Sequence, residues 1–284
     1  MSVIGAHAAA SPPPAARRAA GGSLRALPVM LRVHFAEAIA WRAEFLIWVL
    51  AYTLPLIMLA LWSAVAREAP VGRFGEREFR AYFLATLVYR LVASSWVVWD
   101  MSFQIRQGTI ASRLLRPVHP LLQFAAQQAA AIPLRLALAT PIAAAAIAWV
   151  GVGAVSHDPL LLLSLPILLA GAWAMTFLVM AIIGSLSFFW ESALGIFDLW
   201  LGFYFLFSGY LMPLELLPAP VRAVGHWLPF RYMLSFPVEV TLGLVDRHQL
   251  LQGLAIQWGW TVVLTISAVA TWNAGVRRYS AFGG

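Results

Sequence analysis

Charged side chains set within apolar runs are the groups in this chain best placed to do chemistry or to guide a solute. Arg90 stands near the middle of the run Ala81–Trp99. Asp198 lies about two turns into Ser192–Tyr210, with Glu191 just ahead of it. A charge at mid-span costs about 2.5–3.5 kcal/mol on insertion scales, so Arg90 must face protein or a water-filled path. Three placements satisfy that: lining a substrate path, pairing with an acid on a neighbouring helix, or snorkelling from a shifted span boundary. Asp198 can likewise partner an arginine or line the inner mouth of a conduit. Glu191 reads as an interfacial residue.

The familiar catalytic constellations lack their residues. All 19 basic residues are arginine, so no P-loop lysine exists to reach the β- and γ-phosphates of a nucleotide. If ATP drives this protein, another polypeptide must hold ATP and Mg²⁺ and carry out the hydrolysis. The chain has no cysteine, which removes disulfides, thiolate metal sites and Cys nucleophiles. Its 6 histidines are scattered without ligand spacing. Neither H-E-x-x-H nor G-x-S-x-G occurs. No catalytic residue, metal or resident cofactor is therefore expected.

The elements that position these charges follow from composition. Of 284 residues, 62% are hydrophobic and only 11% charged, against roughly a quarter charged in a soluble domain. That places the chain among integral membrane proteins. The net charge of +7 comes from arginines flanking apolar runs, which suits anionic lipid headgroups and topology signals better than nucleic acid.

The expected fold is an all-α integral membrane bundle of six transmembrane helices. The spans fall at about 45–66, 81–99, 132–150, 160–183, 192–210 and 251–272. Residues 1–22, rich in Ala, Pro and Gly, read as a disordered cytoplasmic tail without a signal-peptide core. From residue 23 to 284 the chain reads as one transmembrane domain. Ser23–Glu44 mixes Leu27, Met30, Leu31, Phe35 and Ile39 with arginines and predicts an interfacial helix. Arg17, Arg18, Arg25, Arg32 and Arg42 precede the first span, which predicts that both termini of this multi-pass protein lie in the cytoplasm.

Two polar interruptions stand out. Gln104–Pro117 contains Arg106, Gln107, Gly108, Arg113, Leu114, Leu115, Arg116 and Pro117. Thr109 is placed to cap a short helix whose last turn carries Arg113 and Arg116, and Pro117 would stop it. From the residues alone, this is either a positively charged topogenic loop or a rigid connection through which a motor could push. Ser208–Gly243 carries prolines at 213, 218, 220, 229 and 237, too many for one spanning helix. Yet Trp227, Phe230, Tyr232 and its leucines make it too apolar for a solvated loop. A pair of short helices re-entering the outer interface satisfies both facts.

Leu-Pro-Phe-Arg-Tyr followed by Pro-Val-Glu before a Gly, together with Ile-Arg-Gln-Gly and Leu-Leu-Arg-Pro, resembles the permease subunits of type-2 ABC exporters. The likeness is to the branch with paired permeases and a separate ATPase. It implies that Gln104–Pro117 is the coupling loop and that the re-entrant segment, with Pro213, Glu215, Pro229, Arg231 and Glu239, forms the outer gate; Arg90 and Asp198 stay candidates for the path by their place within the spans. It also implies two copies of a soluble ATPase and a second permease, either a related heteromeric partner or a second copy. The cell membrane is the implied location and export the implied direction. A polysaccharide- or lipid-exporting permease of the same superfamily, and an intramembrane lipid-modifying enzyme, are the alternatives.

Overall fold

In the computed structural model, residues 28–36, 53–190 and 193–279 are described. The tail 1–22, most of the expected interfacial helix, the start of the first span, and Glu191 lie outside them. Residues 28–36 are helical.

The described residues fold as helices joined by short connections. Helix α1 is Leu54–Glu68, α2 is Glu76–Ala93 and α3 is Val97–Arg106. The single-turn α4, Ala111–Leu114, precedes α5, Pro120–Ala130, and α6, Ile132–Val150. Helices α7, Pro159–Ser185, and α8, Ala193–Phe207, follow. Three short helices, α9 (Ala219–Trp227), α10 (Pro229–Met233) and α11 (Ser235–Thr241), lead into α12, Arg247–Arg278.

Among the described residues, four helical runs are long and apolar enough to cross a membrane: 76–106, 120–150, 159–188 and 247–278. At 1.5 Å per residue, each exceeds the ~30 Å hydrocarbon thickness. Helix α8 is apolar but only 15 residues long, or about 22 Å. Helix α1 also has 15 described residues.

The long runs extend past the expected windows because polar residues form their ends. Glu78 accepts from the Gly75 backbone N–H to open α2 (3.0 Å). Asp246 and Gln249 form a reciprocal capping box that starts α12 ahead of its apolar run. Two runs are broken within. The non-helical residues Ser94–Trp96 separate α2 from α3, and the buried guanidinium of Arg135 donates to the Ser94 carbonyl that the break exposes.

Side chains fix which connections share an end of the bundle. The Gly108 carbonyl, the 186–190 turn and Tyr279 meet at one end, termed the arch end: Tyr279 Oη donates to Gly108 O (3.0 Å), and the Phe188 and Tyr279 rings lie 5.8 Å apart. At the other, termed the capped end, Arg73 pairs with Glu215 (2.6 Å), Arg247 with Asp158 (2.7 Å), and Ser156 N–H donates to Thr241 O (2.8 Å). The core between them joins α2, α7, α11 and α12, with α12 packed along α7 and α1 along α2.

Candidate functional site

At the arch end, residues 107–119 form a compact bend. Thr109 does not cap α4. Its hydroxyl donates back to Gln104 O (3.4 Å), and α4 is one turn with no side-chain cap. So short a helix has little dipole of its own, and its rigidity comes from long-range polar contacts. Arg113 donates through Nε to Gln104 Oε1 (2.8 Å) and through Nη2 to Gln127 Oε1 (2.7 Å). Its guanidinium lies 4.1 Å from the centroid of the Phe124 ring. Fully buried Gln123 donates to both Arg113 O (3.0 Å) and Val118 O (2.8 Å), clasping the bend from α5.

This arrangement divides the sequence-derived set. Arg113, Leu114 and Gly108 turn inward as scaffold, whereas Arg106, Gln107, Leu115, Arg116 and Pro117 are exposed. Leu115 is 88% exposed at the apex. Nothing in the sequence sets Gln123 and Gln127 apart as partners of the bend. Their roles depend on α5 packing beside the bend.

His119 precedes α5, and its Nδ1 accepts from the Leu121 N–H (3.2 Å). Burial lowers the imidazole pKa, which favours the neutral ring that this contact requires.

At the capped end, the segment after α8 folds into a 3₁₀ turn at Leu214–Leu216 and then α9, α10 and α11. Pro220 and Pro229 sit in the first turns of α9 and α10, where a missing N–H costs nothing. Gly209 has φ +79°, and a Cβ there would lie 2.3 Å from Tyr82 Oη, which donates to its carbonyl (2.8 Å). Only glycine suits that turn.

The centre of this end is an ion pair. Arg231 Nη2 meets Glu239 Oε2 at 2.5 Å, with only 11% and 14% of the side chains exposed. The Tyr232 and Phe236 rings flank the guanidinium at 5.6 and 5.3 Å. Below it, fully buried Gln257 of α12 donates to Leu168 O (3.1 Å) and Tyr232 O (2.9 Å). Over the pair opens a cavity of about 750 Å³ whose walls include Arg73, Glu215, Arg222, His226, Gln249 and Gln252. Pro213 is buried beside it, and Glu215 is exposed at its rim.

Arg90 and Asp198 part company. Arg90 is buried between α2 and α8, its guanidinium 5.1 Å from the Tyr204 ring and 5.7 Å from Tyr210. Asp198 points outward from the apolar α8, beside exposed Leu199.

A family match gives this bundle of long apolar helices, with an exposed arch at one end and a capped cavity at the other, a class. A family model described as ABC-2 family transporter protein matches residues 73–283. The chain belongs to that family. It is the membrane-spanning permease of an ABC transporter, a transport component whose family works with an ABC ATPase. No curated relative matches the chain. The match begins just before α2 and includes both the arch and the capped cavity of the permease.

Proposed function

We propose that this permease forms the translocation path of an ATP-driven exporter and receives its power stroke at the arch. The observation that carries the reading is Leu115, a large apolar side chain 88% exposed on a bend that Arg113, Gln123 and Gln127 hold rigid. Such a residue on a braced, polar-rimmed surface suits the anchor of a protein–protein contact. Arg106, Gln107, Arg116 and Pro117 rim that anchor. Two copies of a soluble ATPase, holding ATP and Mg²⁺, are the partners on this reading.

The permease works as a pair, with α8 at the pair interface. Asp198 supports this, because a carboxylate facing hydrocarbon would cost about 2.5–3.5 kcal/mol. A sister permease or a second copy covering α8 removes that cost or encloses water beside it. The chain makes six spans in the cell membrane, with α8 serving as a short fifth span. The arch and both termini face the cytoplasm, and 208–246 is a re-entrant outer gate held by Arg231–Glu239.

Co-expression with neighbouring genes, followed by mild-detergent affinity purification and an ATPase assay, tests the reading. A co-eluting ATPase whose activity responds to the permease is expected, with single cysteines at Gln107 or Leu115 crosslinking to it. Absence of crosslinks at every exposed arch position, while the ATPase still co-elutes, would place the coupling surface elsewhere.

A further inference from the structure

A second cavity, of about 560 Å³, lies between α2, α6 and α7, away from the ion pair and the arch. Its walls are almost wholly apolar, with Ala81, Ala85, Ala139, Ala143 and Ala146 among them. Three hydroxyls face it, and each is engaged: Tyr89 bonds Thr241 (2.6 Å), Thr241 donates to Pro237 O (2.9 Å), and Thr140 donates to Leu136 O (2.7 Å). A polar solute would lose its water there and find no partner. The occupant's buried part must be hydrocarbon.

Length and charge narrow the occupant. Along α2 the groove runs from Ala81 to Val92, about 16 Å at 1.5 Å per residue and close to half of a ~30 Å hydrocarbon core. It therefore spans one leaflet and opens at the capped end. One turn beyond Ala81 stands exposed Arg77, whose Nε donates to Val150 O (3.0 Å). Its Nη2 lies 3.2 Å from where a Gly151 side chain would begin. That glycine lets the guanidinium lie across the end of α6. Arg80 is neutralised by Glu76 and lies 5.2 Å over the Trp149 ring. Among the described residues no carboxylate pairs with Arg77.

We infer that this groove is a binding site for one anionic phospholipid of the capped-end leaflet. An acyl chain lies along the alanines of α2 and α6, and the headgroup phosphate meets Arg77. The guanidinium held at the mouth, beyond an apolar groove about as long as one leaflet is deep, matches a headgroup phosphate joined to an acyl chain.

Native mass spectrometry of the full chain, re-supplied with phosphatidylglycerol or phosphatidylcholine after delipidation, tests this. Wild type should retain phosphatidylglycerol preferentially, and added salt should erode the preference. Arg77→Gln should lower phosphatidylglycerol affinity about fivefold and leave phosphatidylcholine unchanged. Ala143→Trp should abolish retention of both, with Ala146→Leu as a milder obstruction if the first variant fails to fold. Equal retention of both lipids by wild type and Arg77→Gln would overturn headgroup recognition. Undiminished binding in both blocked variants would move the site elsewhere, and Ala143→Cys disulfides between copies would show that a helix fills the groove.

Discussion

The arch and the capped end solve opposite problems with the same residue types. At the arch, Arg113 donates to the side-chain amides of Gln104 and Gln127, Gln127 donates on to Asp100 Oδ2 (3.3 Å), and neighbouring side chains are left to water. At the capped end, Arg231 is enclosed with Glu239 between aromatic rings, beneath a cavity. A clamp made through amides at a half-exposed bend tolerates loss of one member because solvent replaces the bond at modest cost. An enclosed charge pair does not, since each partner leaves the other desolvated and unmatched. The arch is thus built to present a surface with fixed shape. The capped end holds its two charges enclosed in one packed arrangement.

The largest expected effect is on the ion pair. Glu239→Gln should destabilise the protein by about 3–5 kcal/mol by stranding Arg231, read as a lower unfolding midpoint in detergent. Arg231→Met combined with Glu239→Leu should recover most of that loss. A single variant as stable as wild type would mean that water already reaches the pair.

Gln257→Leu should cost about 1–3 kcal/mol, because the Leu168 and Tyr232 carbonyls lose their donor. Arg113→Ala should cost about 1–2 kcal/mol for the same kind of reason. Surface substitutions, by contrast, usually stay within about 0.5 kcal/mol. Leu115→Asp should therefore leave the unfolding midpoint nearly unchanged while abolishing ATPase co-purification. Loss of stability in Leu115→Asp without loss of the partner would reverse the roles assigned to the two residues.

The smallest effect concerns pH. His119 has a lowered pKa in the folded chain, so its neutral ring contributes stability above the ordinary histidine range. That contribution fades as pH falls from about 6.5 through the folded value. His119→Asn should keep an N-cap acceptor and flatten this acid-side loss. A pH profile unchanged by the substitution would remove His119 from the account.

Membrane character and helical class were legible because they depend on runs of residue type, and Arg113 and Leu115 were legible as members of a polar interruption. Their different duties were not. Five of the arch residues face outward and three inward only because α5 sets Gln123 and Gln127 against the bend. The proline pattern of 208–243 announced short helices, but the pairing of Arg231 with Glu239 depends on how α10 turns into α11 at Leu234.

By itself, the sequence determined that this chain is an apolar helical protein without a nucleotide-binding lysine, because hydropathy and residue absence need no tertiary contact to be read. Only the tertiary structure decided which charges are enclosed and which are presented. Arg90 and Asp198 look alike as charges within apolar runs, yet one lies between Tyr204 and Tyr210 and the other faces outward from α8. Burial is set by the neighbouring helix, and the neighbour lies far away along the chain.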